Sequence, residues 1–158
     1  NFIPIEYGKF SIGSNLSYIK SSTESYNSFV SYMGDTLTNI SNKKVRPMMG
    51  QSDIIFNGNL GWSSLKNILE FNLALSYNSK RLLYVGDGEI SDEYEYPRPS
   101  LNFTSKYTIR GIELSFKVKN LLDSEVLLGI ENNDVNTIYY TKRFKPGITY
   151  NFSFGYSL

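Results

Sequence analysis

Apolar and polar side chains alternate most strictly in the segment Gly111-Ile112-Glu113-Leu114-Ser115-Phe116-Lys117-Val118-Lys119. From Ile112 to Val118 the even positions are apolar and the odd positions are polar. The even positions are apolar again from Ile148 to Leu158. A repeat of two residues is the period of a β-strand with one apolar face and one polar face. The sequence therefore predicts a long strand in each of these two segments.

Four segments further upstream repeat this alternation. They are residues 10–18, 54–62, 69–77 and 101–109. A short turn at 63–67 and a tight turn at Arg110-Gly111 join neighbouring segments. We therefore expect an all-β fold, an antiparallel meander of about six long strands.

Three long polar stretches separate the other strands, and we predict that they are loops. They cover about residues 21–50, 86–99 and 123–142. Because the strands of an antiparallel meander alternate in direction, all three loops would lie at one end and both short turns at the other. This asymmetry is typical of outer-membrane β-barrels.

Alternation alone does not reveal whether the apolar face meets lipid or a protein core, since a soluble sandwich or barrel gives the same pattern. Two features favour the membrane. Strands of about 10 residues can cross a bilayer when tilted. Aromatic residues also fall at strand ends on the apolar face, as in the girdle of a membrane barrel. The girdle candidates are Tyr18, Trp62, Tyr77, Tyr107 and Tyr156.

The polar register carries every charged residue of the predicted strands. These residues are Lys9, Asp53, Glu70, Lys106, Glu113, Lys117 and Lys119. In a membrane barrel this register would line the water-filled lumen. The candidate lumen-lining residues are Asn57, Asn59, Asn72, Lys106, Glu113, Lys117 and Asn151.

Composition argues against several classes of function. The chain has no Cys and no His, which excludes thiolate nucleophiles, disulfides, histidine bases and most zinc sites. Its net charge of +1 gives no reason to expect nucleic acid as a partner. Glu70 and Glu113 lie on a polar wall, where nothing in the sequence assigns them separate acid and base roles. We expect no enzyme activity, catalytic residue, metal site or cofactor.

Five short motifs resemble TonB-dependent outer-membrane receptors, especially those of Bacteroidota. In chain order they are Arg46-Pro47-Met48-Met49-Gly50-Gln51-Ser52, Tyr77-Asn78-Ser79-Lys80-Arg81-Leu82, Tyr96-Pro97-Arg98-Pro99-Ser100-Leu101-Asn102, Lys119-Asn120-Leu121-Leu122-Asp123 and Tyr150-Asn151-Phe152-Ser153-Phe154-Gly155-Tyr156-Ser157-Leu158. They resemble, respectively, "R-P-L-Q-G-Q-S", "Y-N-x-x-G-K-R-I", "E-R-P-R-x-x-L-D", "K-N-L-L-D" and the last strand of the family. The chain departs from the family in lacking Gly before Lys80 and in ending on Leu158, where an aromatic residue is usual.

The resemblance implies that residues 1–158 are the C-terminal segment of a larger barrel, 22-stranded in that family, in the bacterial outer membrane. It implies energised uptake of a scarce ligand such as a siderophore, glycan or peptide. No plug domain is recognised. Six strands alone would leave two unpaired edges in lipid. We therefore expect as partners the remainder of the barrel and the plug, on the same or a separate chain, and TonB through that plug. Outer-membrane lipid, lipopolysaccharide and a surface lipoprotein or larger envelope complex are further expected partners.

Three candidate sites are each weighed against an ordinary explanation. Gly147, Tyr150 and Phe152 fit a pattern that the resemblance links to barrel assembly, although a turn into an alternating strand fits as well. The acidic run Asp87, Glu89, Asp92, Glu93 and Glu95 could hold a hard cation or be a solvated loop. The basic residues Lys43, Lys44, Arg46, Lys142 and Arg143 could meet lipopolysaccharide phosphates or form an ordinary charged rim.

Two other classes of protein remain open on the sequence. One is a small, self-contained outer-membrane barrel with a structural or adhesin role, in which two more strands lie within the long loops. The other is a soluble β-barrel that binds an apolar ligand.

Overall fold

The computed structural model describes residues 8–33, 36–86, 91–132 and 137–156. Its strands are β1 (Gly8–Tyr18), β2 (Thr23–Met33), β3 (Thr36–Arg46), β4 (Ile54–Ser64), β5 (Leu69–Asn78), β6 (Arg81–Tyr84), β7 (Glu93–Glu95), β8 (Ser100–Ile109), β9 (Ile112–Lys119), β10 (Val126–Asn132), β11 (Thr137–Phe144) and β12 (Thr149–Tyr156). The described residues form strands and no helix, so the fold is all-β, and all strand pairs in its sheets are antiparallel. No helix within these ranges could span a membrane.

The six predicted strands form one sheet, which we call the wall. Its order is β1-β4-β5-β8-β9-β12, and its bounds differ from the predicted ones by one or two residues. The last predicted residue, Leu158, lies outside the described ranges. The alternation of apolar and polar residues was sufficient to predict this sheet, because each wall strand has two chemically different faces.

The register places all short turns at one end of the wall. Gly8 at the start of β1 lies opposite Ser64 at the end of β4, and Tyr18 lies opposite Ile54. The turns β4–β5 and β8–β9 therefore lie at the end marked by Gly8. The connections β1–β4, β5–β8 and β9–β12 all lie at the other end, as the sequence predicts.

The connections contain strands that the sequence does not reveal. The segment 21–50, predicted to be a loop, contains the two-stranded sheet β2-β3. The other two connections together form a four-stranded sheet in the order β11-β10-β7-β6. We call these six strands the cap. The loop prediction was wrong here because segments such as Thr23-Glu24-Ser25-Tyr26 have no clear apolar face, and hairpins can form by backbone pairing without one.

The predicted tight turn between β8 and β9 is confirmed. Ile109 pairs with Ile112, and the residues between them, Arg110 and Gly111, have φ angles of 47° and 80°. Positive φ at both central positions is the signature of a type I′ turn, whose twist matches that of the flanking strands. Arg110 adopts this conformation at a cost, because its Cβ crowds the backbone.

Replacing Arg110 with Asn should stabilise this turn, because Asn tolerates the left-handed conformation better than Arg. We expect the free energy of unfolding in urea to rise by about 0.5–1 kcal/mol. The control is Arg110→Lys, which keeps the charge and should leave the unfolding free energy unchanged. Equal stabilities for Arg110→Asn and Arg110→Lys would contradict this account of the turn.

Candidate functional site

The apolar face of the wall carries exposed apolar side chains on every strand except β8, where they are half-buried. The exposed apolar residues on it include Phe10, Ile12, Leu16, Leu60, Phe71, Leu73, Phe116, Phe152 and Phe154. Exposure is greatest on the edge strands, reaching 82% for Ile12 and 71% for Phe152. Leu82 and Val118 are the only buried hydrophobic residues among those whose side chains the structure describes. No second layer covers this face within those residues.

Aromatic rings pack on one another across this face. Trp62 stacks on Phe71 with 5.7 Å between ring centroids, and Phe71 lies 6.1 Å from Phe103. The Trp62 indole also extends over Gly8, where a Cβ would collide with it. Gly8 therefore leaves the space that the indole occupies at the short-turn end of the wall.

The five girdle candidates fall into two groups at opposite ends of the wall. Tyr18 and Tyr77 lie opposite Ile54 and Phe56 near the long-connection end. The other three lie near the short turns. Trp62 pairs with Phe10 and Phe71. Tyr107 pairs with Leu69 and Leu114, and Tyr156 pairs with Ile112. The register thus places the aromatic residues at both rims of the apolar face.

The polar face of the wall carries two open cavities. One, of about 410 Å³, is lined in part by Asn57 and Asn59. The other, of about 650 Å³, is lined by polar residues that include Asn59, Asn72, Lys106, Glu113 and Lys117. The remaining lumen-lining candidate, Asn151, pairs with Lys117 on the neighbouring strand. The predicted lining residues therefore share one surface.

Several charged residues of the polar face, among them Glu70, Lys106 and Glu113, lie near the short-turn end and are partly paired. Lys106 Nζ lies 3.0 Å from Glu113 Oε2, and Glu70 is the register partner of Lys106 on β5. Lys9 and Lys117 line the same cavity. Because the opposite charges of Glu113 and Lys106 offset each other, this pair adds no net charge to the polar face.

The assembly candidate Gly147 is held by the turn that follows β9. The amide Nδ2 of Asn120 donates to Gly147 O at 2.9 Å, and Gly147 N donates to Asp123 Oδ1 at 3.1 Å. The backbone N–H of Asn120 in turn donates to Asn102 Oδ1 at 3.1 Å. These bonds join the beginnings of β8 and β12 to the end of β9.

The other two assembly candidates lie on the apolar face of β12. Tyr150 stacks on Phe116 at 6.4 Å between ring centroids, while Phe152 is among the most exposed residues of the wall. The structure thus gives Gly147 a local hydrogen-bonding role, and it leaves Tyr150 and Phe152 on an open surface.

The centre of the cap is an ion cluster around Asp92. Its carboxylate accepts hydrogen bonds from Arg46 Nε at 2.9 Å, from Lys44 Nζ at 2.8 Å and from the backbone N–H of Gly86 at 2.9 Å. Arg46 also donates to Ser25 Oγ and to Gly86 O. Both Arg46 and Asp92 are 5% exposed. This cluster attaches the β2-β3 hairpin to the β6–β7 connection.

Burial alone would raise the pKa of Asp92, but the hydrogen bonds from Lys44, Gly86 and Arg46 outweigh it. The net effect is a pKa below the usual value for aspartate. The carboxylate is therefore held in its charged form by its donors.

A second polar contact joins the β5–β8 and β9–β12 connections. Lys80 Nζ lies 2.7 Å from Glu131 Oε1, and Tyr96 Oη donates to the same oxygen at 3.1 Å. The bond from Lys80 lowers the pKa of Glu131. Burial and the bond to Glu131 raise the pKa of Tyr96, which keeps the phenol protonated.

Two predicted sites prove to be partners of each other. Arg46, a candidate for lipopolysaccharide, is buried against Asp92, a candidate for a cation. The other described carboxylates of the acidic run are also engaged, Glu95 with Arg81 and Glu93 with Thr141, while Asp87 and Glu89 lie outside the described ranges. No cluster of metal-ligating side chains occurs among the residues that the structure describes.

The remaining basic candidates lie on the surface of the cap. Lys43 pairs with Glu24 at 2.6 Å and Arg143 with Glu125 at 2.9 Å. Lys142 Nζ lies 5.2 Å from the centre of the Phe144 ring. Sequence reasoning missed these pairs, because partners far apart in the chain leave no local pattern.

Three comparisons, with family models, with curated protein sequences and with solved structures, found no match to this chain.

Replacing Asp92 with Asn should loosen the cap, because it leaves the buried Arg46 guanidinium without a counter-charge. Breaking such a pair costs about 3–5 kcal/mol. We expect a corresponding loss of hydrogen-exchange protection for the amides of β6 and β7. In Glu125→Gln, which breaks the exposed pair with Arg143, the loss should stay below about 1 kcal/mol.

The same cluster predicts a pH dependence. The pKa of Asp92 is lower in the folded state than the unfolded value of about 3.9. Its ionised carboxylate therefore stabilises the folded state, and the full effect is present at pH values above the unfolded pKa. This stability is lost as the pH falls through the folded pKa. After correction for intrinsic exchange rates, the amides of β6 and β7 in the native chain should lose protection at pH values below about 4. The loss should be smaller in Asp92→Asn. An identical pH profile for both proteins would count against this role of Asp92.

Proposed function

We propose that this chain forms part of the wall of a bacterial outer-membrane β-barrel, a C-terminal segment of a TonB-dependent receptor, with its cap outside the cell. The apolar face of the wall meets lipid, and the polar face lines the lumen around a plug. The cap contributes to the capture of a scarce ligand that the receptor imports with energy supplied through TonB. This role requires no catalysis by the chain.

The observation that carries the proposal is the open apolar face of a sheet whose opposite face is polar and charged. Water would make such a face costly, at roughly 25 cal/mol for each Å² of apolar surface left exposed. Contiguous exposed apolar patches of this kind mark interaction with a membrane or a partner. Hydrocarbon is the environment that suits rows of Phe, Leu and Ile with aromatic residues at both ends.

The length of the strands supports the same conclusion. β1 has 11 residues, and a rise of about 3.3 Å from each residue to the next places its first and last residues roughly 33 Å apart. A tilt of about 40° reduces the height to roughly 25 Å, the height of the apolar band in outer-membrane barrels. The two groups of girdle residues then lie at the two interfaces.

The edges of the wall call for a partner. Neither β1 nor β12 has a second neighbour in the parts of the chain that the structure describes. Unpaired backbone groups are not tolerated in lipid, so the remainder of a barrel must pair with both strands. Because the wall has an even number of strands, β1 and β12 run in opposite directions, as closure of an antiparallel barrel requires.

The self-contained barrel is the weaker alternative. It needs two strands from the long connections beside β1 and β12. The strands found there pair with one another in the cap and leave the edges of the wall free. The soluble barrel is likewise less favoured, because the apolar rows do not enclose a common interior within the described residues.

The sidedness of the wall can be tested with spin labels, since the chain has no cysteine of its own. Single substitutions Ile12→Cys and Leu73→Cys report on the apolar face, and Ser11→Cys and Asn72→Cys on the polar face. In bilayers, the first pair should be accessible to oxygen, which partitions into lipid, and the second pair to a water-soluble nickel reagent. Similar accessibility for both pairs, or a chain that stays monomeric in water without detergent, would overturn the proposal.

A charge placed on the apolar face should be costly only in a membrane. Leu73 lies in the middle of β5, and Asn72 beside it faces the other way. We expect Leu73→Arg to reduce the stability of the protein in bilayers by about 2–4 kcal/mol. Asn72→Arg should cost less than about 1 kcal/mol. On a face exposed to water both substitutions would be tolerated, so equal effects would count against lipid contact.

A further inference from the structure

A small polar pocket lies where the polar face of the wall meets the cap. It has a volume of about 120 Å³ and is lined by Ser76, Asn78, Ser79, Arg81, Glu95, Tyr96, Arg98 and Ser100. A water molecule occupies about 30 Å³ of liquid, so the pocket has room for a single small polar group. Ser76 and Ser100 are register partners on β5 and β8, which places the floor of the pocket on the polar face.

The charge in this pocket is not balanced. Glu95 accepts hydrogen bonds from Arg81 at 2.6–2.8 Å, so its carboxylate is already neutralised. Arg98 is partly buried and makes no hydrogen bond or ion pair with any residue that the structure describes. The lining therefore carries one guanidinium without a counter-charge, which is costly to keep partly desolvated.

The backbone holds Arg98 in a fixed position. It stands between Pro97 and Pro99, which limit the φ angles on both sides and favour an extended Arg98. On one side Tyr96 is anchored, since its N–H donates to Leu127 O at 2.9 Å and its hydroxyl to Glu131. On the other side Ser100 begins β8. Such preorganisation reduces the entropy lost on binding.

We infer that this pocket binds a single oxyanion, a carboxylate or phosphate group carried by a small water-soluble ligand. The guanidinium of Arg98 supplies the charge and two parallel donors, which can pair with two oxygens of a carboxylate or of a phosphate. The hydroxyls of Ser76 and Ser100 and the amide of Asn78 make no hydrogen bonds to other described residues and can donate as well. The inference deepens the proposed function. Only the side from which the ligand reaches the pocket rests on that proposed function.

The test is calorimetric titration of the detergent-solubilised chain with inorganic phosphate, with acetate and with glucose as a neutral probe. Phosphate or acetate should bind, and glucose should not. Arg98→Gln should weaken anion binding by about tenfold or more, since it removes a charge-assisted bond. Arg98→Lys keeps the charge without the paired donors and should show an intermediate affinity. Arg143→Gln, an exposed arginine of the cap, is the matched control and should leave the affinity unchanged.

A second variant guards against a purely structural effect of Arg98. Ser76→Ala removes one donor from the pocket floor and should weaken anion binding severalfold while hydrogen exchange in the cap stays unchanged. The inference is overturned if neither anion binds, if Arg98→Gln binds as tightly as the native chain, or if only vesicles of anionic phospholipid give a response. These titrations do not depend on the sidedness of the wall, and the spin-label experiment does not depend on Arg98, so the two proposals can fail separately.

Discussion

The structure depends on one constraint: the six-stranded wall must be stable although no other part of the described chain packs on its apolar face. In a typical globular domain a second layer packs on such a face and supplies most of the folding free energy. Here Leu82 and Val118 are the only buried apolar residues among those whose side chains the structure describes. Backbone pairing across the wall, ring stacking on its surface and the medium around it must therefore provide the stability that a core would provide elsewhere.

The two ends of the wall meet different demands. At the short-turn end, tight turns such as Arg110-Gly111 connect strands with the fewest residues. At the other end the connections form a cap that is held together by charge. Its contacts include the buried pair Arg46–Asp92 and the bridge from Lys80 to Glu131. Buried ion pairs contribute little net stability, but their geometry is directional, so they can fix the positions of the connections.

Several of the short motifs acquire a physical role in this arrangement. Asn120 and Asp123, with φ angles of 57° and 45°, form the turn whose side chains bind the backbone of Gly147. Ser79 accepts a hydrogen bond from the N–H of Ile54 and so joins β5 to the start of β4. Pro97 and Pro99 hold Arg98 beside the polar face. Each of these three motifs lies at the end of the wall where strands pass into the cap, which is where the chain must change from regular pairing to irregular contacts.

The sequence alone determined the wall: six strands, their two faces, the tight turn at Arg110-Gly111 and the end at which the long connections lie. It could do so because the alternation of apolar and polar residues is visible within each segment, and each strand keeps the same two faces when it pairs with its neighbours. The strands of the cap escaped prediction because polar segments such as 23–26 carry no apolar period. The pairing of Arg46 with Asp92 and the pocket around Arg98 were decided by the tertiary structure. Both bring together side chains from distant segments, and only the folded chain sets which charges meet and which stay without a partner.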